Sequence, residues 1–104
     1  MAIKKQFSSF AELLQSSPLP ILVDFYAPWC GPCQLMAPIL EKVGAQVRDK
    51  VQIVKINTDQ YPDIASQYHV RALPTFIIFR DGKPIERFEG AMTADQLLDK
   101  LKRL

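Results

Sequence analysis

The sequence predicts an α/β fold in one domain, residues 1–104: a central mixed β-sheet, parallel strands plus a C-terminal antiparallel hairpin, flanked by about four helices. Three observations predict it. Apolar runs of strand length alternate with stretches of helical period, the order expected when strands are joined through helices. The last two strand-like runs are separated by Asp81-Gly82, a hairpin turn signal. A chain of 104 residues, 48% hydrophobic and 23% charged, suffices for one core, and no repeat, low-complexity tract or linker divides it.

Ser9-Phe10-Ala11-Glu12 is a capping box that opens the first helix. Pro18 and Pro20 end it, since neither can continue a helix. Ile21 to Tyr26 is a buried strand with one anomaly, Asp24. From Cys30 or Pro32 to about Val47 the pattern is helical. Met36, Ile39, Leu40, Val43 and Val47 share one face, and Glu41, Lys42 and Gln46 lie opposite. Pro38 falls inside this helix, removes one hydrogen bond and predicts a kink. Val51 to Asn57 is the second strong strand. Pro62 sits at the first turn of a short helix over Asp63 to Tyr68. Pro74 to Phe79 and Ile85 to Glu89 form the hairpin. Thr93-Ala94-Asp95-Gln96 is a second capping box. It opens a last helix with Leu97, Leu98, Leu101 and Leu104 inward and Lys100, Lys102 and Arg103 where the dipole favours cations. Strands linked through helices should run parallel with right-handed crossovers. Sites in such sheets form beyond the carboxyl ends of the strands, and Cys30 follows the first strong strand.

The stretch Trp29-Cys30-Gly31-Pro32-Cys33 carries the chemistry. A helix N-terminus has partial positive charge and unpaired N–H groups, so it favours a thiolate, the species that attacks a disulfide. A second thiol within reach can resolve the mixed disulfide. Other uses of the pair fit less well. A zinc site needs about four ligands, and beyond the pair there is one histidine, His69, and no further cysteine. Haem attachment wants histidine after the second cysteine, where Gln34 stands. A purely structural disulfide would close too small a loop to gain much entropy. Position assigns the roles: Cys30 the more exposed nucleophile, Cys33 the more buried resolving thiol. Trp29 reads either as a core aromatic or as a flat apolar platform for a partner.

Asp24 and Lys55 form a second constellation. Asp24 shares a strand face with Leu22 and Tyr26, and burial there raises a carboxyl pKa towards neutral. It would then accept or donate a proton near pH 7. Lys55 alternates with Val51 and Ile53, so it too shares an apolar face, and the two charges could partner across neighbouring strands. A structural ion pair without chemistry accounts for the same pattern. His69, at the end of the short helix, reads as a surface or capping residue, and the lack of another histidine argues against a Cys-His hydrolase.

Composition sets the outer bounds. The net charge of +2, from 13 basic and 11 acidic residues, is too balanced for a nucleic-acid or membrane-surface partner. Apolar stretches fall far short of the ~20 residues of a membrane helix. Met1 to Gln6 has two lysines but no apolar segment after them, so no secretory signal is expected, although a transit peptide could precede this numbering. A single cysteine pair fits a reducing compartment.

The chain closely resembles the thioredoxin family over nearly its whole length. The matching stretches are Val23-Asp24-Phe25, Ala27 to Cys33, Ala37-Pro38, Val54-Lys55-Ile56-Asn57, Asp59, Val70 to Thr75, Phe79 to Gly82 and Gly90-Ala91. The resemblance implies the thioredoxin fold, with Cys30 as nucleophile and Cys33 as resolving thiol. It implies that Asp24, modulated by Lys55, assists deprotonation of Cys33, and that Pro74 is a cis proline against the disulfide. Leu73 and Thr75 would pair with a bound substrate strand. Trp29, Gly31, Pro32, Ala72, Pro74, Gly90 and Ala91 would form a flat apolar docking surface. Tyr26, Gln34 and Ala72 depart from the family, which often has Trp, a basic residue and Gly there. The last two alter shape and charge beside the nucleophile.

The resemblance implies a general protein-disulfide reductant with no metal and no cofactor beyond the Cys30–Cys33 disulfide. A thioredoxin reductase, NADPH- or ferredoxin-dependent, would re-reduce it, and diverse disulfide-containing proteins would be its targets. It would be a monomer in the bacterial cytoplasm, or in an organelle stroma or matrix. Two alternatives are a thiol oxidase or isomerase of the same fold, against which Gly31-Pro32 argues by family resemblance, and a binding module with incidental redox chemistry.

Overall fold

The computed structural model describes residues 9–104. The expectation about a signal segment at Met1 to Gln6 lies outside the described residues. Among the described residues the order is α1 (Phe10–Ser16), β1 (Ile21–Tyr26), α2 (Gly31–Val47), β2 (Gln52–Asn57), α3 (Pro62–Gln67), β3 (Thr75–Arg80), β4 (Lys83–Glu89) and α4 (Ala94–Lys102). The expected elements all form. Ser9 accepts from the Glu12 amide at 3.1 Å and caps α1. Thr93 and Gln96 complete both halves of their capping box on α4. Pro38 lies within α2 and does not end it. The last strand starts earlier than its apolar residues indicate, at Lys83, because β4 is an edge strand that tolerates Pro84 beside an irregularity at Ile78 and Phe79.

The strands lie in the order β2-β1-β3-β4. β1 and β2 are parallel, with Asp24 in register with Lys55. β3 runs antiparallel to β1, with Thr75 opposite Phe25, although it is reached through a helix. This corrects the expectation that helix-linked strands run parallel. The reason is reach. A six-residue helix advances about 9 Å, half the length of a six-residue strand of about 20 Å. The chain leaves β2 at the carboxyl end of β1 and re-enters the sheet at that same end. The turn at Thr75 is thereby brought beside Tyr26 and the cysteines.

Each face of the sheet has its own core. On one, Leu22, Phe76 and Ile78 pack against Met36, Leu40, Val43 and Val47 of α2 and Leu97 and Leu101 of α4. On the other, Ile21, Val23, Phe25, Ile77 and Phe79 pack with Leu14 and Phe10 of α1 and Ile64 of α3. Leu22 packs on the first of these faces and Ile21, Val23 and Phe25 on the other, so strand alternation puts Asp24, two residues beyond Leu22, on the first face.

Candidate active site

β1 ends at Tyr26, and four residues later the chain enters α2 through Cys30, which is its N-cap. Pro32 fits the first turn because its missing N–H would have no helical partner there. The Cys33 amide donates to Cys30 Sγ at 3.2 Å, so sulfur takes the place that a serine or aspartate oxygen usually holds. Cys30 and Cys33 are joined in a disulfide, with Cα atoms 5.2 Å apart. The Gln34 side chain donates to the Pro28 carbonyl at 2.9 Å and ties the approach loop to the helix.

Both cysteines are buried, Cys30 at 5% exposure and Cys33 at 7%. This differs from the expected exposed nucleophile, because in the oxidised pair both pack against Ala27, Tyr26 and Leu73. What separates the two is access. Cys30 lines a cleft of about 410 Å³ with Trp29, Gly31, Pro32, Thr58, Ala65, Val70, Arg71 and Leu73, and Cys33 does not.

Of the residues expected to bind a target, Trp29, Gly31, Pro32 and Leu73 meet at this cleft. The Leu73–Pro74 peptide is cis, and the Pro74 carbonyl accepts from the Gly90 amide at 2.9 Å. Gly90 has φ +87°, a conformation that favours glycine. Ala72 is exposed, and its carbonyl accepts from Thr75 Oγ1 at 2.6 Å. Thr75 is fully buried with strand partners on both sides, Phe25 and Glu89, so it offers no free edge to an incoming strand. Ala91 lines a different cleft, with Phe88, Glu89 and Met92.

Sequence reasoning missed Thr58, Ala65, Val70 and Arg71 as cleft walls and Asp59 as the partner of Trp29. Trp29 is 71% exposed, and its indole N–H donates to Asp59 Oδ2 at 3.1 Å. One signal was available: Thr58 and Asp59 directly follow the carboxyl end of β2, where sites in such sheets form. Trp29 is the only tryptophan, so the protein's tryptophan fluorescence comes from this ring alone. Asp59→Ala is expected to free the ring and increase its quenching by acrylamide, at a stability cost of about 1 kcal/mol or less. Unchanged quenching would show that the hydrogen bond does not hold the indole.

Asp24 is 2% exposed, and its Oδ1 makes no hydrogen bond among the described residues. Burial raises its pKa to about 6, against a smaller opposing pull from the Lys55 charge. Lys55 is exposed rather than buried and forms no ion pair with Asp24. Its ammonium lies 5.0 Å from the centre of the Tyr26 ring. β2 is an edge strand, so a long side chain there can keep its charged end in water. His69 is exposed at the end of α3, as expected of a surface or capping residue.

A bond between cysteines three positions apart holds almost no chain in place. Its use lies in being broken and remade, and Cys30 reaches a cleft where another sulfur can meet it. The molecule is a protein thiol–disulfide oxidoreductase with a redox-active cysteine pair.

Comparison with known proteins agrees. The thioredoxin family model matches residues 2–103. A thioredoxin-like protein of Synechocystis sp. is 58% identical over 102 residues, 98% of this chain and 97% of that protein. Chloroplastic thioredoxin Y1 of Arabidopsis thaliana is 55% identical over 97% of this chain, and this chain spans 59% of its length. The solved structure of oxidised mitochondrial thioredoxin 3 from Saccharomyces cerevisiae superposes with a TM-score of 0.83 at 39% identity, covering 91% of this chain and 87% of that one. The chain belongs to the thioredoxin family, which needs no cofactor beyond its redox-active disulfide.

Proposed function

We propose that this protein is a general dithiol reductant of protein disulfides, with one domain, residues 1–104, carrying the whole activity. The observation that carries the reading is the asymmetric access of the pair: Cys30 lines the cleft and Cys33 does not. Cys30 as thiolate attacks one sulfur of a target disulfide. A Cys30–target disulfide forms, and the other target sulfur leaves as a thiolate and takes up a proton. Cys33 then loses its proton to Asp24 and attacks Cys30 Sγ. The Cys30–Cys33 disulfide forms and the second target sulfur departs as a thiolate that takes up a proton, returned from Asp24 or drawn from water, so the target gains two electrons and two protons.

Each group has a physical reason for its role. Negative charge on Cys30 is favoured by the free N–H groups and dipole of α2, including the Cys33 amide already bonded to it. Asp24 lies on the sheet face that α2 covers, and with a pKa near 6 it can take a proton at neutral pH. Lys55 limits the rise of that pKa. Pro74 and Leu73 would present the backbone that meets a target segment, with Thr75 anchoring the Ala72 carbonyl from within the sheet. Trp29, Gly31 and Pro32 supply the apolar wall, and Gly90, whose amide bonds the Pro74 carbonyl, would extend the surface past Pro74, with Ala91 beyond it.

The partners would be disulfide-containing proteins and a thioredoxin reductase, NADPH- or ferredoxin-dependent. The protein would work as a monomer in electron transfer to those targets. Cyanobacterial and chloroplastic relatives support a cytoplasmic or stromal location. Among the described residues, no helix is long and apolar enough to cross a membrane. The test is catalysis of insulin reduction by dithiothreitol, followed as precipitation of the freed B chain. A reductant accelerates it at low micromolar concentration. No acceleration, together with rapid oxidation of reduced substrates by the disulfide form, would favour an oxidase.

A further inference from the structure

We propose that Arg87 is a positioning residue for target binding: its guanidinium reaches from β4 to the end of α3 and fixes the Val70–Leu73 wall of the Cys30 cleft. The proposal rests on the reading that this cleft receives target disulfides.

The chain makes an unusual turn where that wall begins. α3 ends at Gln67, and His69 two residues later has φ +55°, the left-handed conformation that glycine normally supplies at a helix end. A side chain there is strained. The His69 amide returns to the Ser66 carbonyl at 3.1 Å, and the Val70 amide to that of Ala65 at 2.9 Å. The carbonyls of Tyr68 and His69 point out of the turn. Both are taken by one side chain: Arg87 Nη1 donates to the Tyr68 oxygen, and Nη2 donates to the His69 oxygen at 2.7 Å. A planar fork on two adjacent carbonyls fixes direction as well as distance, which a lysine cannot do.

The residues that follow are the cleft wall. Val70, Arg71 and Leu73 line it beside Cys30. The far end of the same loop is held by Thr75 Oγ1 on the Ala72 carbonyl and by the Gly90 amide on the Pro74 carbonyl. The loop is thus tied at both ends, with one tie at each end coming from β4 or the residue just after it. Arg87 itself is exposed and is not among the residues that line the cleft, so it touches neither sulfur nor target. Its effect passes through the loop.

The prediction separates large from small substrates. A protein disulfide needs the wall, whereas a small aromatic disulfide needs little more than Cys30. Arg87→Met is expected to raise KM for insulin on the order of tenfold through loss of orientation. The rate with 5,5′-dithiobis(2-nitrobenzoate) and the reduction potential of the disulfide should stay at wild-type values. Arg87→Lys should be intermediate. His69→Gly in the Arg87→Met background, by removing the strain, should return the KM towards wild type. An unchanged insulin KM in folded Arg87→Met protein would overturn the proposal, as would equal losses on both substrates. If Arg87→Met does not fold, Arg87→Lys decides in the same way. A wild-type protein inactive on insulin would instead overturn the reductant reading itself.

Discussion

Cys30→Ser should reduce the rate of insulin reduction by at least about 10³-fold, because it removes the only sulfur of the pair that reaches the cleft. Cys33→Ser should be nearly as inactive but should fail at a different step. Its Cys30 can still attack, and with nothing to displace the target the covalent adduct accumulates. Mass spectrometry after mixing with a disulfide protein should then show one target chain on each Cys33→Ser molecule and none on Cys30→Ser. The reverse pattern would assign the nucleophile to Cys33. Equal trapping by both would show that burial in the oxidised pair, 5% against 7%, predicts reactivity better than cleft access does.

Asp24→Asn should stabilise the fold at pH 8 while slowing release of trapped targets. The carboxyl has an ordinary pKa of 3.8 and is pushed to about 6 in the folded protein, chiefly by burial. The folded state therefore binds the proton more tightly than the unfolded state. Well below pH 3.8 both states are protonated and the carboxyl has no cost of this kind. As pH rises from 4 through 6, the unfolded chain ionises first and stability falls. Above 6 the loss is complete, and a rise from 3.8 to about 6 corresponds to about 3 kcal/mol. An uncharged amide escapes this loss but still buries a polar group, so the net gain should be about 1–3 kcal/mol. Urea unfolding of both proteins at pH 4 and pH 8 measures it. A gain at pH 8 that mostly disappears at pH 4 fits a carboxylate held unpaired. A destabilised Asp24→Asn at pH 8 would mean that the charge has a partner after all.

Much of this was legible in the chain because local rules agree with one another along it. Ile21 to Tyr26 is an apolar run just after Pro20, and β1 has those bounds. Thr93 and Gln96 announce α4 three residues apart and cap it as the spacing requires. Asp24 was visible as a carboxylate among apolar neighbours, and its burial followed. The direction of β3 was not legible, because it depends on which end of the sheet a short helix returns the chain to. Lys55 alternates with apolar residues like an inward side chain, yet it is exposed, because β2 is an edge and nothing in a strand's own pattern says so. The contacts of Trp29 with Asp59 and of Arg87 with Tyr68 and His69 join residues 18 to 30 positions apart, and no periodicity encodes them.

The reduction potential of the Cys30–Cys33 pair, measured by equilibration with a defined thiol–disulfide buffer, separates a reductant from an isomerase or oxidase. Each tenfold change in the equilibrium is about 30 mV for this two-electron couple, so small differences resolve well. A reductant must lie below the glutathione couple, at a potential more negative than about −240 mV. A value of about −180 mV or above is where disulfide isomerases and oxidases operate, and it would contradict the assignment of this protein as a reductant.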